Sequence, residues 1–297
     1  MSPLNPHQQY NAAYDNLHAG RYQAGFKLLE YRWHPDVMAN VNIPYKKTPT
    51  FTTPWQGQSL LGKTIVVQME QGFGDIIMFA RFLPALKVLG AKKLIVYQHS
   101  SMHHLLGQLE CVDQFTNQDD VYADYWIGSL SLPYYLSLAQ PYCKTLFPCS
   151  KDYVVSSEGY LEATPSNIPR KIGVNWGTSK GPMHFIRSID DVDMLDLVGE
   201  DAFSLNPDTD GPFISLPNDG WKRDFSKTAA HVKAMKGVVT VDTATAHLAG
   251  ALGVKCLVLM PKPKFCCWRW KHAPWYDSVT PIDHDEYHLI PEMIRSW

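Results

Sequence analysis

The stretch from Gly237 to Met260 leaves this chain few ways to fold. Gly237-Val-Val-Thr-Val241 is apolar and β-branched, Asp242 and Thr243 break it with polar side chains, and Ala244 to Leu252 is small and helix-forming. Gly253 ends that run, and Val254-Lys-Cys-Leu-Val-Leu-Met260 is apolar again. Strand, cap, helix, glycine stop and strand make a βαβ crossover between parallel strands. Asp and Thr suit such a turn because their oxygens accept from the free N–H groups of a first helical turn, and Gly253 suits the helix end. The helix start carries unpaired donors and partial positive charge, which fit phosphate. In open α/β sheets, ligands bind at the carboxyl ends of strands. An ordinary capped crossover with no ligand fits the same residues.

The rest of the chain alternates in the same way. Ala12, Ala13, Leu17, Tyr22, Phe26, Leu29 and Trp33 recur at helical spacings over residues 6–34, with Gly20 between two helices. The phrase from Leu17 to Phe26 resembles part of a tetratricopeptide unit, in a single copy, expected to pack on the next domain as a cap. Residues 35–60 carry Pro35, Pro44, Pro49 and Pro54 and read as an extended surface wrap. Lys63 to Met69 is a strand, Glu70 to Asp75 a glycine turn and Ile76 to Leu89 a helix ending at Gly90. Strands over Leu94–Gln98, near Phe115 and over Asp124–Ile127, with a helix over Met102–Leu109, complete a first pattern. Pro141 to Pro169 is irregular. A second pattern follows: strand Lys171–Trp176, helix Asp190–Val198, strand Phe213–Leu216, helix Lys227–Met235 and the crossover at Gly237. The class is α/β with two Rossmann-like domains. The expected boundaries are a helical hairpin and wrap (1–60), a first Rossmann-like domain (61–150), an interdomain segment (151–168) and a second (169–297), its tail from Pro274 packing back on the first.

The chain has 297 residues, 45% of them hydrophobic, and a net charge of −2. That size suits two domains, and the charge balance gives no support for a duplex-wide basic groove. Nine Trp and fifteen Tyr suit stacking on sugars or bases as well as plain core packing. Cys111, Cys143, Cys149, Cys256, Cys266 and Cys267 form no C-x-x-C pair, so free thiols in a reducing compartment are expected. The first residues lack a basic and an apolar region of signal-peptide type, and no apolar run nears the ~20 residues that span a bilayer. A soluble, cytoplasmic protein is the expectation.

Four constellations can carry chemistry. Gly72-Phe73-Gly74-Asp75 opens the first helix of the first domain; the glycines allow unusual backbone angles, and Asp75 can serve as a general base for a hydroxyl or as a mere first-turn acid. The missing third glycine argues against a dinucleotide fingerprint. Asp242, Thr243, Thr245 and His247 surround the helix start, where the threonines and amides suit a diphosphate. Trp176-Gly177-Thr178-Ser179-Lys180, with Arg187, ends a strand in a polar turn whose cations suit phosphate. Cys266-Cys267-Trp268-Arg269-Trp270 with Trp275-Tyr276 offers a stacking wall in Trp268 and Arg269, or a packed aromatic corner. Asp191-Val-Asp193 and Asp208-Thr-Asp210 match a short metal-binding spacing, but also fit helix-start acids, and no metal is expected.

Taken together, the block from Glu70 to Pro84 (Glu-Gln-Gly-Phe-Gly-Asp-Ile-Ile-Met-Phe-Ala-Arg-Phe-Leu-Pro) resembles the Gly-Asp…Pro signature of heptosyltransferase-like glycosyltransferases, family nine type. The branch it is most similar to carries tetratricopeptide-like helices ahead of the transferase. Val241 to Gly253 resembles that family's donor-phosphate motif, and Trp268-Arg-Trp270 with Pro274-Trp-Tyr276 its C-terminal aromatic segment. The resemblance implies a GT-B fold, two Rossmann-like domains facing a cleft, and inverting, metal-independent transfer from a nucleotide sugar to a saccharide acceptor. It implies that Asp75 is the general base, that Asp242, Thr243, Ala244, Thr245, Ala246 and His247 form the diphosphate turn, and that Lys180 or Arg187 offsets the leaving group's charge. The chain departs from the family in the Gly177-Thr-Ser-Lys-Gly-Pro182 turn and in Asp190, where Pro is common. No cofactor beyond the co-substrate is implied. Two rival functions remain: transfer to hydroxymethylated bases in DNA, as in some viral transferases, and a non-catalytic scaffold of the same fold.

Overall fold

A computed structural model describes residues 4–40, 53–98, 100–118, 121–138, 159–178, 184–260, 267–271 and 275–297. Ser179, Lys180, Pro44, Pro49, Cys143, Cys149, Cys266, Pro274 and most of the irregular segment after Pro141 lie outside them. The chain divides into two compact units, Met1–Ser156 and Ser157–Trp297.

The first unit opens with a hairpin of α1 (Pro6–His18) and α2 (Tyr22–Leu29). Asn5 caps α1 in a reciprocal capping box with Gln8, and Gly20 (φ 73°) makes the turn. Ala13, Leu17, Phe26 and Leu29 are buried, and Phe26 meets Phe79 edge-on, centroids 6.2 Å apart. The expected extended wrap is instead helical at its start, α3 (Pro35–Asn40), because Pro35 stands where a helix needs no N–H donor.

Five parallel strands follow: β1 (Thr53–Pro54), β2 (Thr64–Gln68), β3 (Lys93–Tyr97), β4 (Gln114–Thr116) and β5 (Tyr125–Gly128), ordered β1-β5-β2-β3-β4. Ile65, Val66 and Val67 are all buried, as strands covered on both faces must be. The helix expected over Ile76–Leu89 is two, α4 (Phe73–Ala80) and α5 (Leu83–Val88). Pro84 sits in the first turn of α5 and cannot lie within a continuous helix. The short α6 (His103–Leu106) and α7 (Leu132–Leu138) complete the unit among the described residues.

The second unit has strands β6 (Ile172–Asn175), β7 (Ala202–Ser204), β8 (Gly237–Val241), β9 (Cys256–Leu259) and β10 (Val279–Ile282), ordered β10-β9-β8-β6-β7 and again parallel. Its helices are α8 (His184–Arg187), α9 (Asp191–Val198), α10 (Phe225–Ala234), α11 (Ala244–Ala251), α12 (Trp268–Lys271) and α13 (Ile290–Arg295). One expectation fails: the strand expected at Phe213–Leu216 is three residues at Ala202–Ser204, and Ile214 makes only a bridge to Phe203. The tail supplies β10, paired with β9, and its Trp297 ring lies where a Cβ on Gly237 would come within 2.2 Å.

In both sheets the chain runs outward on one side and then reverses. The reversal falls between β2 and β5 in the first unit and between β6 and β8 in the second. Doubly wound sheets bind ligands beyond the carboxyl ends of strands at such a switch point.

Candidate active site

In the second unit the switch point is formed by the turns after β6 and β8, with Asn175 beside Thr240 in register. Thr243 caps α11 from an extended conformation (φ −139°, ψ 175°), its Oγ1 accepting from the Thr245 N–H at 3.3 Å. Thr240 Oγ1 lies 3.1 Å from Thr243 Oγ1. Asn175 Nδ2 donates to Thr245 Oγ1 at 2.9 Å, tying the two turns together. Thr243 and Ala244 are half-buried and stand at the accessible end of the helix. Thr245, Ala246 and His247, expected with them at the diphosphate, are buried (His247 3% exposed). His247 Nδ1 is 3.1 Å from the Tyr276 hydroxyl, and its ring lies 4.7 Å from that of Trp270.

Asp242 is 7% exposed, with one carboxylate oxygen hydrogen-bonded and the other facing a cation. Trp270 Nε1 donates to Oδ1 at 2.8 Å, and Arg187 Nε stands 3.8 Å from Oδ2. Arg187 also donates through a terminal nitrogen to the Asp242 carbonyl. A guanidinium is thus held at the start of α11. Trp176 is buried just after β6, its ring 4.8 Å from that of Phe213 and inclined to it at 60°, and it donates from Nε1 to Asp191 Oδ1 at 2.6 Å. Gly177 and Thr178 follow, the latter's N–H donating to Ser188 Oγ at 3.1 Å. A Cβ at Gly177 would come within 2.8 Å of Asn206 Nδ2, so a larger residue there would displace the Asn206 amide.

The aromatic segment is the packed corner rather than an open wall. Trp268 is 2% exposed, edge-on to Trp275 at 6.0 Å, and Arg269 lies over its ring at 4.7 Å. In each Asp-x-Asp pair one carboxylate takes a protein donor: Asp191 accepts from Trp176 Nε1 and Asp210 from Ser215 Oγ, while the Asp193 N–H donates to the Asp190 cap. Among the described residues no group of three His, Cys, Asp or Glu could hold a metal ion.

In the first unit the switch-point loop is Glu70 to Asp75. Gly72 caps α4 with ordinary extended angles (φ −81°, ψ 169°), and Asp75 lies half-buried on the first turn. Neither Gly72 nor Gly74 takes the unusual angle expected of it. Gln71 does, at φ 63°, a strain of order 1 kcal/mol that surrounding contacts must hold. Those contacts centre on Glu70, which is wholly buried. Arg32 Nε and a terminal nitrogen each donate to Glu70 at 2.8 Å, the Leu130 N–H donates to Glu70 Oε2 at 3.0 Å, and the Glu70 N–H donates to Ser129 Oγ at 3.1 Å. Arg32 also reaches Glu30, and Ser131 bridges the two. Burial works against the Arg32 charge, but Glu70 and Glu30 outweigh it and hold its pKa above the ordinary value. Sequence reading missed this cluster and the Asp242–Trp270 and Asn175–Thr245 pairs; Glu70 at a strand's carboxyl end was the available signal.

No helix among the described residues is long and apolar enough to cross a membrane. No family model matches the chain. A curated relative, Protein FlbA of Caulobacter vibrioides, is 24% identical over 313 aligned positions, covering 91% of this chain and 51% of its own length; the chain thus spans about half of that relative. Two solved structures share the fold. One is a family 9 glycosyl transferase from Veillonella parvula (TM-score 0.51, 13% identity, 81% of this chain and 91% of that one). The other is the ADP-heptose lipopolysaccharide heptosyltransferase II of E. coli (TM-score 0.51, 13% identity, 78% of this chain and 96% of that one). At such identities the likeness is one of fold, and that fold is the two-unit Rossmann-like architecture of GT-B glycosyltransferases.

Proposed function

We propose that the protein is a glycosyltransferase that moves a sugar from a nucleotide-sugar donor to a saccharide hydroxyl, with inversion and without a metal. The observation that carries this reading is the second unit's switch point. Thr243 caps a helix at whose start Thr243 and Ala244 are half-buried rather than buried, and the Arg187 guanidinium is held beside it on Asp242. Backbone donors, helix dipole and an arginine are the elements that stabilise a leaving diphosphate electrostatically. Asn175, Trp176 and Trp270 hold those elements in place. In this reading Asp75 takes the proton from the acceptor hydroxyl as it attacks the anomeric carbon. Gly72 and Phe73 border the acceptor, and Gly177 and Thr178 the donor. Free thiols at Cys111 and Cys256 favour a reducing compartment such as the cytoplasm.

A thermal-shift series with ADP, UDP, GDP and CDP tests the donor side. A nucleotide at a hundredfold its Kd adds about 2.7 kcal/mol to the state that binds it. We expect one diphosphate to raise the melting temperature and Thr243→Val to weaken its binding about tenfold. If none of the four shifts the transition, the reading fails in favour of a scaffold that keeps only the fold.

A further inference from the structure

We infer that Arg32, in the 3-10 turn Glu30–Trp33 that closes the N-terminal helical hairpin, is a positioning residue for the loop that carries Asp75. The inference rests on the reading of Asp75 as the general base. Four observations converge. First, Arg32 is 1% exposed and grips both oxygens of Glu70, a carboxylate that is itself fully buried, at 2.8 Å each. Such a two-point fork fixes orientation as well as distance. Second, Glu70 is the residue just before the left-handed Gln71, and Gln71 leads directly into the Gly72 cap and Asp75. An anchored residue next to a strained one is what holds the strain in place. Third, Glu70 is locked from the other strand of the switch point, by the Leu130 N–H and by Ser129 Oγ, so the fork joins the hairpin to both β2 and β5. Fourth, the neighbourhood is shaped around this carboxylate: a Cβ on Gly128 would lie 2.2 Å from Glu70 Oε2 and 2.7 Å from the Trp33 ring.

The hairpin's resemblance to a tetratricopeptide unit suggests a docking module. Its Arg32 points to a different duty, inside the unit. Lysine cannot reproduce it, since an ammonium lacks the planar fork that spans both Glu70 oxygens while also reaching Ser131 and Glu30.

The test uses the full-length chain with Arg32→Lys and with the paired Arg32→Met/Glu70→Gln, which removes both charges together and leaves no unpaired ion in the interior. Hydrogen exchange followed by mass spectrometry reads the backbone directly. We expect amides in the peptide spanning 69–80 to exchange at least tenfold faster in both variants. Peptides of α1 and of α11 should keep the wild-type rate. With ADP-heptose as the donor probe, kcat should fall at least tenfold with donor KM within twofold of wild type. A folded variant whose 69–80 peptide exchanges at the wild-type rate overturns the inference, whatever the donor. If that peptide loosens as expected but Asp75→Asn turns over like wild type, the clamp stands and the base assignment falls.

Discussion

Trp270→Phe isolates the contact that holds the donor turn. In the wild type, the indole N–H donates to Asp242 Oδ1 at 2.8 Å, and both residues are buried, at 6% and 7% exposure. Phenylalanine fills most of the same space but has no donor, so the Asp242 oxygen loses its indole partner. A hydrogen bond to a charged group contributes about 1.5–3 kcal/mol. The smaller ring forfeits roughly 1 kcal/mol more of buried apolar contact. We expect a loss of about 3 kcal/mol, read by urea denaturation followed by circular dichroism, since fluorescence changes with the tryptophan itself. The two units can unfold separately, so the transition must be resolved for each. Asp242→Ala serves as the partner substitution, because it removes the oxygen that accepts from the indole. The double-mutant cycle should return a coupling of at least about 1 kcal/mol. Additive single and double variants would refute the account of Trp270 as the residue that holds Asp242, leaving it as ordinary packing.

Three further outcomes are expected. Gly250→Ala places a methyl where a Cβ would lie 2.3 Å from the Tyr276 ring; we expect about 1–3 kcal/mol of destabilisation by overpacking, measured by urea titration, and a wild-type midpoint would show that α11 can move away. The Thr64 N–H, with Lys63, holds the Asp124 carboxyl below the usual carboxylate range. A depressed folded pKa gives stability that is present above the unfolded value near 4 and is lost as pH falls through the folded one. Asp124→Asn should therefore lower the melting temperature at pH 6 and converge with wild type near pH 2.5, whereas parallel curves would contradict the assignment. Excess EDTA should leave sugar transfer unchanged; loss of activity restored by Mn²⁺ would overturn the metal-independent mechanism.

What the chain sequence discloses is what local chemistry enforces. β8, Thr243 and α11 are legible because a β-branched run, a capping hydroxyl and a run of alanines each state their own conformation. Gly20 and Gly253 announce their turns and take positive φ, at 73° and 68°. β7 is not legible, since three residues make no pattern and the apolar Phe213–Leu216 nearby outweighs them. The break at Arg81 hides because Pro84 reads as part of a helical run until the chain is seen to restart at Leu83. The partners at the candidate site are invisible for a different reason. Arg32 and Glu70 are 38 positions apart, and Trp270 and Asp242 are 28 apart. No periodicity joins residues brought together only by the sheet's crossovers. His247 illustrates the converse: its place in a phosphate-like motif suggests a ligand contact, while its burial against Trp270 and Tyr276 comes from a segment more than twenty positions later.

The central claim is that Asp75 accepts the acceptor's proton at the first unit's switch point. Steady-state transfer by Asp75→Asn, in protein shown to keep its melting temperature and its nucleotide affinity, tests it most directly. A positioned general base supplies about 10²- to 10⁴-fold in rate, so kcat should drop by at least a hundredfold with donor KM nearly unchanged. Turnover within threefold of the wild type would contradict the account.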